Sequence, residues 1–262
     1  MLGAIIGDIV GSIYEFNNLK SKDFPFFSPY GFFTDDSVMT VAICKALLDC
    51  KGKYHKLSKL TVNYMQEYGK LYPNMSYGGN FIDWLNKKKP QPYNSCGNGS
   101  AMRVGAVSYF ANSIEEVKML SKLVTEVTHN HPEGIKGAEA TAVAIYMALN
   151  KCSKEQIKEY VESNYYSLDF TYEGLKQDYC FTELAQTTVP QAIYCFLISE
   201  SFEDAIRIGV SIGGDSDTLC AIIGAIAEAY YGIDEKMAYR ALSYLDDRLT
   251  SVYNEFVKRT KK

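Results

Sequence analysis

Residues 211–232 read "SIGGDSDTLCAIIGAIAEAYYG". A glycine pair, two aspartates and a threonine stand directly before a run of small apolar residues that looks made to be buried. Residues 31–44, "GFFTDDSVMTVAIC", repeat the arrangement about 180 residues earlier. Each segment sets carboxylates at the mouth of a helix with too few polar positions to be a surface helix. These stretches decide the fold. Apolar residues recur at helical spacing, and no convincing pair of alternating strands occurs.

Working outward, helices are expected at 2–14, 37–49, 55–70, 114–127, 134–150, 154–163, 189–199, 202–210, 217–231 and 235–258. In the first, Gly3, Gly7 and Gly11 recur at spacing four, which lets one helix face approach a neighbour closely. Ser113 stands three residues before Glu116, the spacing of a capping box. The exception is 71–103, "LYPNMSYGGNFIDWLNKKKPQPYNSCGNGSAMR", rich in turn formers and read as a long ordered loop with a short helix inside. With neither an internal repeat nor a linker, residues 1–262 are expected to form one all-α domain.

A chain of 262 residues can bury a large core, and 47% hydrophobic with 22% charged residues is ordinary for a soluble globular protein. The formal charge of −4 weighs against a stable nucleic-acid complex. Seven cysteines are scattered without a CxxC pair, which points away from a zinc site or a disulfide framework and towards a reducing cytoplasm. Cys44, Cys195 and Cys220 fall in apolar helical runs and are expected to pack as small hydrophobes. The opening "MLGAIIGDIVGSIYEF" lacks a basic lead and is broken by Asp8 and Glu15, so it reads as a mature helix and not a signal peptide. No stretch approaches the length of a membrane span. The terminal "KRTKK" reads as a short solvated tail.

In a regular helix adjacent side chains diverge, so Asp35 and Asp36 converge only at an N-terminus where the backbone is still turning, together with Thr34. Asp215, Asp217 and Thr218 meet the same condition if the Gly213-Gly214 turn aims them. Helix capping accounts for one such group at each site, but each cluster holds two acids and a threonine. If the clusters meet, carboxylates about 5 Å apart repel by roughly 3 kcal/mol per pair at an effective dielectric near 20. Summed over four groups this is on the order of 20 kcal/mol, more than the net stability of a domain. No run of Lys or Arg stands beside either cluster. Divalent cations are the natural counter-charge, and an all-oxygen set of Asp and Thr suits Mg²⁺ or Mn²⁺ better than zinc. So many ligands match two ions better than one.

In "NSCGNGSAMR", residues 94–103, Gly97 and Gly99 permit positive φ and a close backbone approach, and free N–H groups there can cradle a phosphate. Arg103 reads equally as a structural ion-pair partner or a phosphate ligand. His129 and His131 in "THNHPEG" lack the companions of a zinc site and read as hydrogen-bonding residues before a helix, with Pro132 near its first turn. Glu15 is placed on the helix face away from the glycines, where a surface glutamate is the plain reading. Tyr72, Tyr77 and Tyr93 suit either base stacking or packing.

Taken in order, "GAIIGDIVGSIYEF", "FFTDDS", "GNGSAMRVGAV", "THNHPEGIKGAEA" and "AIRIGVSIGGDSDTLCAIIGAIAEAYYG" closely resemble the motifs of the ADP-ribosylglycohydrolase family, which includes the dinitrogenase reductase-activating glycohydrolases. The resemblance implies a compact helical bundle around a central cleft with two Mg²⁺ or Mn²⁺ ions. It implies Thr34, Asp35, Asp36, Asp215, Asp217 and Thr218 as metal ligands, and Glu15, Asp35 and Asp36 as catalytic residues, Glu15 being the family's mobile N-terminal glutamate. Tyr93, Asn94, Ser95, Cys96, Gly97, Asn98 and Gly99 match the loop that wraps ADP-ribose, and His129 matches a substrate contact. The implied activity is hydrolysis of the bond between ADP-ribose and an acceptor, with ADP-ribosylated substrate as partner. The alternative is a non-catalytic ADP-ribose-binding or structural relative, and the intact acids favour the enzyme. "CFTELAQTT", residues 180–188, departs from the Cys-Gln-Gly-Ser pattern of similar short members, and Asp83 is a distant candidate for a base used by longer ones.

Overall fold

Fourteen α-helices and no β-strand make up the described residues, 1–260, of the computed structural model. In chain order they are α1 Leu2–Gly11, α2 Asp35–Cys50, α3 Leu57–Leu71, α4 Gly79–Asn86, α5 Gly99–Met102, α6 Ile114–Thr125 and α7 Pro132–Leu149. Then come α8 Lys154–Asn164, α9 Tyr172–Asp178, α10 Ala185–Ile198, α11 Phe202–Ile212, α12 Ser216–Tyr231, α13 Glu235–Leu242 and α14 Asp247–Thr260. The opening stretch supplies the centre: Ser216 to Ala227 of α12 are all buried, and α1, α7, α10 and α11 pack around them. Every residue of α1 is buried too.

The glycine spacing sets how α1 meets α12. A Cβ at Gly7 would lie 1.9 Å from the Cys220 carbonyl oxygen, and one at Gly3 2.1 Å from that of Gly224. The two backbones are therefore in direct contact, which only glycine allows. The seam runs on to Gly11, whose Cβ would lie 2.3 Å from the Ser216 oxygen. It thus fixes the end of α1 against the start of α12.

Several boundaries differ from expectation. The first helix stops at Gly11 and tightens into a 3-10 turn, Ser12–Tyr14. The expected helix 235–258 is two helices, parted at 243–246, because Asp246 caps α14 by accepting from the Leu249 N–H. α9, capped by Thr171, was not anticipated. Within 71–103 the expected short helix is α4, anchored by the buried Trp84, whose indole N–H donates to the Val127 carbonyl. Ser113 does accept from the Glu116 N–H, but Glu116 bonds the Asn112 N–H, so the box is only half made. The reciprocal box stands instead at Ser153 and Gln156.

Lys258 to Thr260 continue α14, not a loose tail; Lys261 and Lys262 lie outside the described residues. Cys44, Cys195 and Cys220 are buried in the core. Among the described residues no helix is long and apolar enough to cross a membrane.

Candidate metal and ligand site

The N-termini of α2 and α12 meet. Thr34 is the N-cap of α2, its hydroxyl accepting from the Asp36 N–H. At α12, Gly213 and Gly214 take φ of 75° and 82° and turn the chain so that Asp215 becomes the N-cap residue. Positive φ here requires glycine, and a Cβ at Gly214 would also lie 2.3 Å from the Tyr179 ring. The Asn18 amide holds this turn, accepting from the Gly214 N–H at 2.7 Å and donating to the Gly214 carbonyl at 2.9 Å and that of Tyr14 at 2.8 Å.

Across the junction the Thr218 hydroxyl donates to Asp36 Oδ2 at 3.1 Å, and Thr34 Oγ1 lies 3.3 Å from the same oxygen. Asp8, Asp36 and Asp217 each place an oxygen within 4.8 Å of the others, and so do Glu15, Asp215 and Asp217. The two triads share Asp217. Asp35 belongs to neither, but lines the same cavity.

Crowding and burial push every one of these acids towards its neutral form. Desolvation, then the charges of Asp217 and Asp8, raises Asp35 and Asp36 well above the usual carboxylate range. Desolvation followed by Asp215 does the same to Asp217. Asp215 is pushed up to about 6, mainly by burial. Glu15 is pushed up to about 8 by burial and then by Asp217.

Does this donor set fit a divalent cation? Asp36 Oδ1 is buried without a hydrogen-bond partner, an uncommon state for a carboxylate oxygen. Among the described residues no lysine or arginine forms an ion pair with Asp35, Asp36, Asp215 or Asp217. Hard oxygen donors, excess negative charge and one unsatisfied oxygen are what Mg²⁺ or Mn²⁺ would complete. The residues fit.

Asp8 was not singled out from the sequence. One oxygen accepts from the Thr34 N–H at 2.9 Å and the Ser37 N–H at 3.0 Å, and also from the Ser37 hydroxyl. The other accepts from the Thr34 hydroxyl at 2.8 Å. Burial still raises this carboxyl to about 6, against the pull of those donors. With both oxygens engaged, Asp8 is a clamp from α1 on the first turn of α2, holding Thr34 and through it Asp36. Its only sequence signal is an acid inside an apolar glycine-spaced helix. Asp8→Ala leaves the Thr34 and Ser37 N–H groups without their acceptor, and should cost about 2–4 kcal/mol in urea unfolding with EDTA present. It should also weaken Mn²⁺ binding about 10–100-fold by calorimetry. Unchanged unfolding would show that the clamp carries nothing.

Glu15 corrects the surface reading. Four residues after Gly11 it stays on the glycine side, the 3-10 turn carries it to the rim of the acid cluster, and it is half-buried. In the 93–99 loop alternate residues face the cavity: Tyr93, Ser95 and Gly97 line it together with Asn98 and Gly99, whereas Asn94 and Cys96 do not. Asn94 takes φ 57° and its N–H donates to the Asn130 side chain at 2.7 Å; the Cys96 carbonyl accepts from the Ala185 N–H. Neither Gly97 nor Gly99 has positive φ. A Cβ at Gly97 would lie 3.4 Å and one at Gly99 3.6 Å from His129 Nε2, ordinary contact distances that set the ring edge against this backbone.

The expected N–H cradle is partly occupied, since Asn98 N–H donates to the Glu183 carbonyl and Gly97 N–H to Ser95 Oγ. Asn98 Nδ2 donates to Asp215 Oδ2 at 2.7 Å and so ties the loop to the acid cluster. Arg103 makes no carboxylate pair and donates to Thr128 Oγ1. Of the three loop tyrosines only Tyr93 lines the cavity; Tyr72 donates to Asp246, and Tyr77 is buried. Asp83 is exposed on α4 and does not line the cavity, whereas Glu183, from the departing segment 180–188, does.

The chain resembles ADP-ribosylhydrolase ARH3 of Mus musculus, at 29% identity over 90% of this chain and 83% of that protein. ADP-ribosylarginine hydrolase Tri1 of Pseudomonas putida (strain GB-1) is 24% identical over 89% of this chain and 70% of that protein. A solved structure described as an ADP-ribosylglycohydrolase-related protein complex superposes with a TM-score of 0.72 at 21% identity, covering 99% of this chain and 97% of that one. At that identity the likeness speaks for the fold. The sequence model of the ADP-ribosylglycohydrolase family matches residues 1–261, in agreement with the ordered motifs and the helical architecture, and the chain belongs to that family.

Proposed function

We propose that this chain is a divalent-cation-dependent hydrolase that cleaves the glycosidic bond between ADP-ribose and an acceptor. The observation that carries the reading is the hydrogen bond from Thr218 to Asp36, which joins two acidic helix N-termini 182 residues apart. Two acid triads sharing Asp217 support a pair of ions; the ligands assigned to them are Asp35, Asp36, Asp215, Asp217 and Thr218, which line the cavity, and Thr34 beside Asp36. Bound there, Mg²⁺ or Mn²⁺ would supply Lewis acidity at the ribose hydroxyls, beside a carbon that becomes oxocarbenium-like.

The protein's own groups divide the remaining work. Asp36 is held by the Thr218 hydroxyl and by its own N–H on Thr34 Oγ1, and serves as an anchor. Glu15 stands at the rim, half-buried beside Asp217, and its raised proton affinity suits it to take the proton of the attacking water. Gly97, Asn98, Gly99 and His129 form the wall along which the diphosphate and ribose would lie, with Tyr93 beside them.

The test is a panel of ADP-ribosylated arginine, ADP-ribosylated serine, nucleic-acid termini and O-acetyl-ADP-ribose, assayed with Mg²⁺, with Mn²⁺ and with EDTA. Release of ADP-ribose from at least one of them, lost in EDTA, is the expected result. Release from none, with ADP-ribose still bound in a calorimeter, would make the chain a binding module.

A further inference from the structure

Arg103 is 2% exposed and Thr128 fully buried, so their polar atoms depend on each other and on His129. A guanidinium can only donate. Arg103 Nη2 donates to Thr128 Oγ1 at 2.7 Å and lies 3.5 Å from His129 Nδ1. Thr128 Oγ1 is also 2.7 Å from His129 Nδ1, but 3.5 Å from the Thr125 carbonyl. Having accepted from the arginine, the threonine hydroxyl gives its own proton to the ring nitrogen, the nearer acceptor. His129 Nδ1 is then a lone-pair nitrogen. A proton on it would face a guanidinium N–H and would put a second cation beside a buried first one.

The neutral ring must carry its proton on Nε2, the atom that lies over the bare backbone of Gly97 and Gly99. We propose that Arg103 and Thr128 are positioning residues that lock His129 in the neutral Nε2–H tautomer. The lock makes the ring a fixed hydrogen-bond donor to an anionic phosphate-type oxygen of a ligand lying along the Gly97–Gly99 backbone. The arginine supplies positive charge at one remove, and the histidine supplies the directed hydrogen. Burial and the arginine charge push His129 well below its ordinary range, in keeping with this geometry.

Other titratable groups around the ring leave the lock intact. Tyr93 packs against it with ring centroids 6.1 Å apart. Glu133, at the start of α7, bonds Tyr166 and pairs with Lys136, and the His131 ring accepts from the Glu133 N–H. Among the described residues no carboxylate hydrogen-bonds His129. Arg103 itself lines the same cavity, and its Nε is buried without a protein partner.

The nature of the ligand rests on the proposed function; the tautomer does not. Long-range ¹H–¹⁵N spectra of the full chain labelled at histidine separate the two neutral tautomers from the imidazolium, with His129→Gln assigning the signal. The expected result is an Nε2–H ring that does not titrate between about pH 5.5 and 8.

Thr128→Val removes the hydroxyl donor to Nδ1, so the ring should populate the Nδ1–H tautomer and ADP-ribose affinity by calorimetry should fall on the order of tenfold. Thr128→Ser should restore the wild-type profile. An Nδ1–H ring, a ring that titrates near its ordinary value, or Thr128→Val behaving as wild type would overturn the lock. A locked ring in a chain that does not bind ADP-ribose would leave the lock standing and sink the functional reading instead.

Discussion

Asp36→Asn should abolish high-affinity Mn²⁺ binding and slow ADP-ribose release by about a thousandfold, while making the cation-free protein more stable. The loss follows from geometry: one oxygen of Asp36 accepts from Thr218 across the junction, and the other is buried with no partner but an ion to take. The gain follows from linkage. In the folded chain burial and neighbouring charges raise Asp36 well above the usual range, whereas in the unfolded chain it ionises near pH 4. Folding without cation therefore demands a proton that the unfolded chain has released, and stability falls as pH rises through that window.

The same sign holds for Asp8 and Asp215, raised to about 6, and for Glu15, raised to about 8. With EDTA present the thermal midpoint should decline from near pH 4 to about pH 8, and Mg²⁺ should restore most of the loss. Asp36→Asn should flatten that slope and raise the midpoint at pH 8 by roughly 2–4 °C per kcal/mol relieved. Thermal scans at several pH values, with EDTA and with Mg²⁺, check this. A midpoint in EDTA that climbs with pH, or a variant that still binds Mn²⁺ tightly, would end the account.

The all-α fold is legible because helical periodicity dominates and because the two acid-then-apolar stretches each announce a buried helix with a polar mouth. Charge arithmetic carries those mouths further, since two uncompensated clusters in one chain invite a common cation. Asp8 escapes the same logic because its partners are the backbone N–H groups of Thr34 and Ser37, and main-chain donors leave no mark on side-chain identity. Glu15 is misread for a different reason. Spacing four carries the glycine face of α1 on from Gly11 to Glu15, and because that face meets α12 the carboxylate reaches Asp217 instead of water. The Arg103–Thr128–His129 relay is invisible before folding, because Arg103 comes from the end of α5 and the other two from the turn before α7. The parting of α13 from α14 has no Gly or Pro to mark it.

Gly7→Ala should destabilise the protein by at least about 3 kcal/mol, although alanine is the better helix former. Helix propensity favours the change by about 1 kcal/mol. Packing opposes it: the new Cβ would lie 1.9 Å from the Cys220 carbonyl oxygen and 2.7 Å from the Ala221 nitrogen, both backbone atoms of the central helix. No rotamer relieves such a clash, so α1 must lift away from α12, and burial along a helix with every residue inside is lost. The seam also grades the effect on the site. Gly3 packs against Gly224 at the far end, whereas Gly11 packs against Ser216 and the Asp217 Cα, which a Cβ would approach to 2.7 Å. Gly3→Ala should therefore lower stability and leave Mn²⁺ affinity nearly unchanged at temperatures where the variant is folded. Gly11→Ala should lower both, because it displaces the carboxylate shared by the two triads. Urea unfolding with Mn²⁺ titration of the three variants measures the two effects separately. A Gly7→Ala protein as stable as wild type would mean that the helices are free to slide apart, and that the acid cluster is held together by something other than this seam.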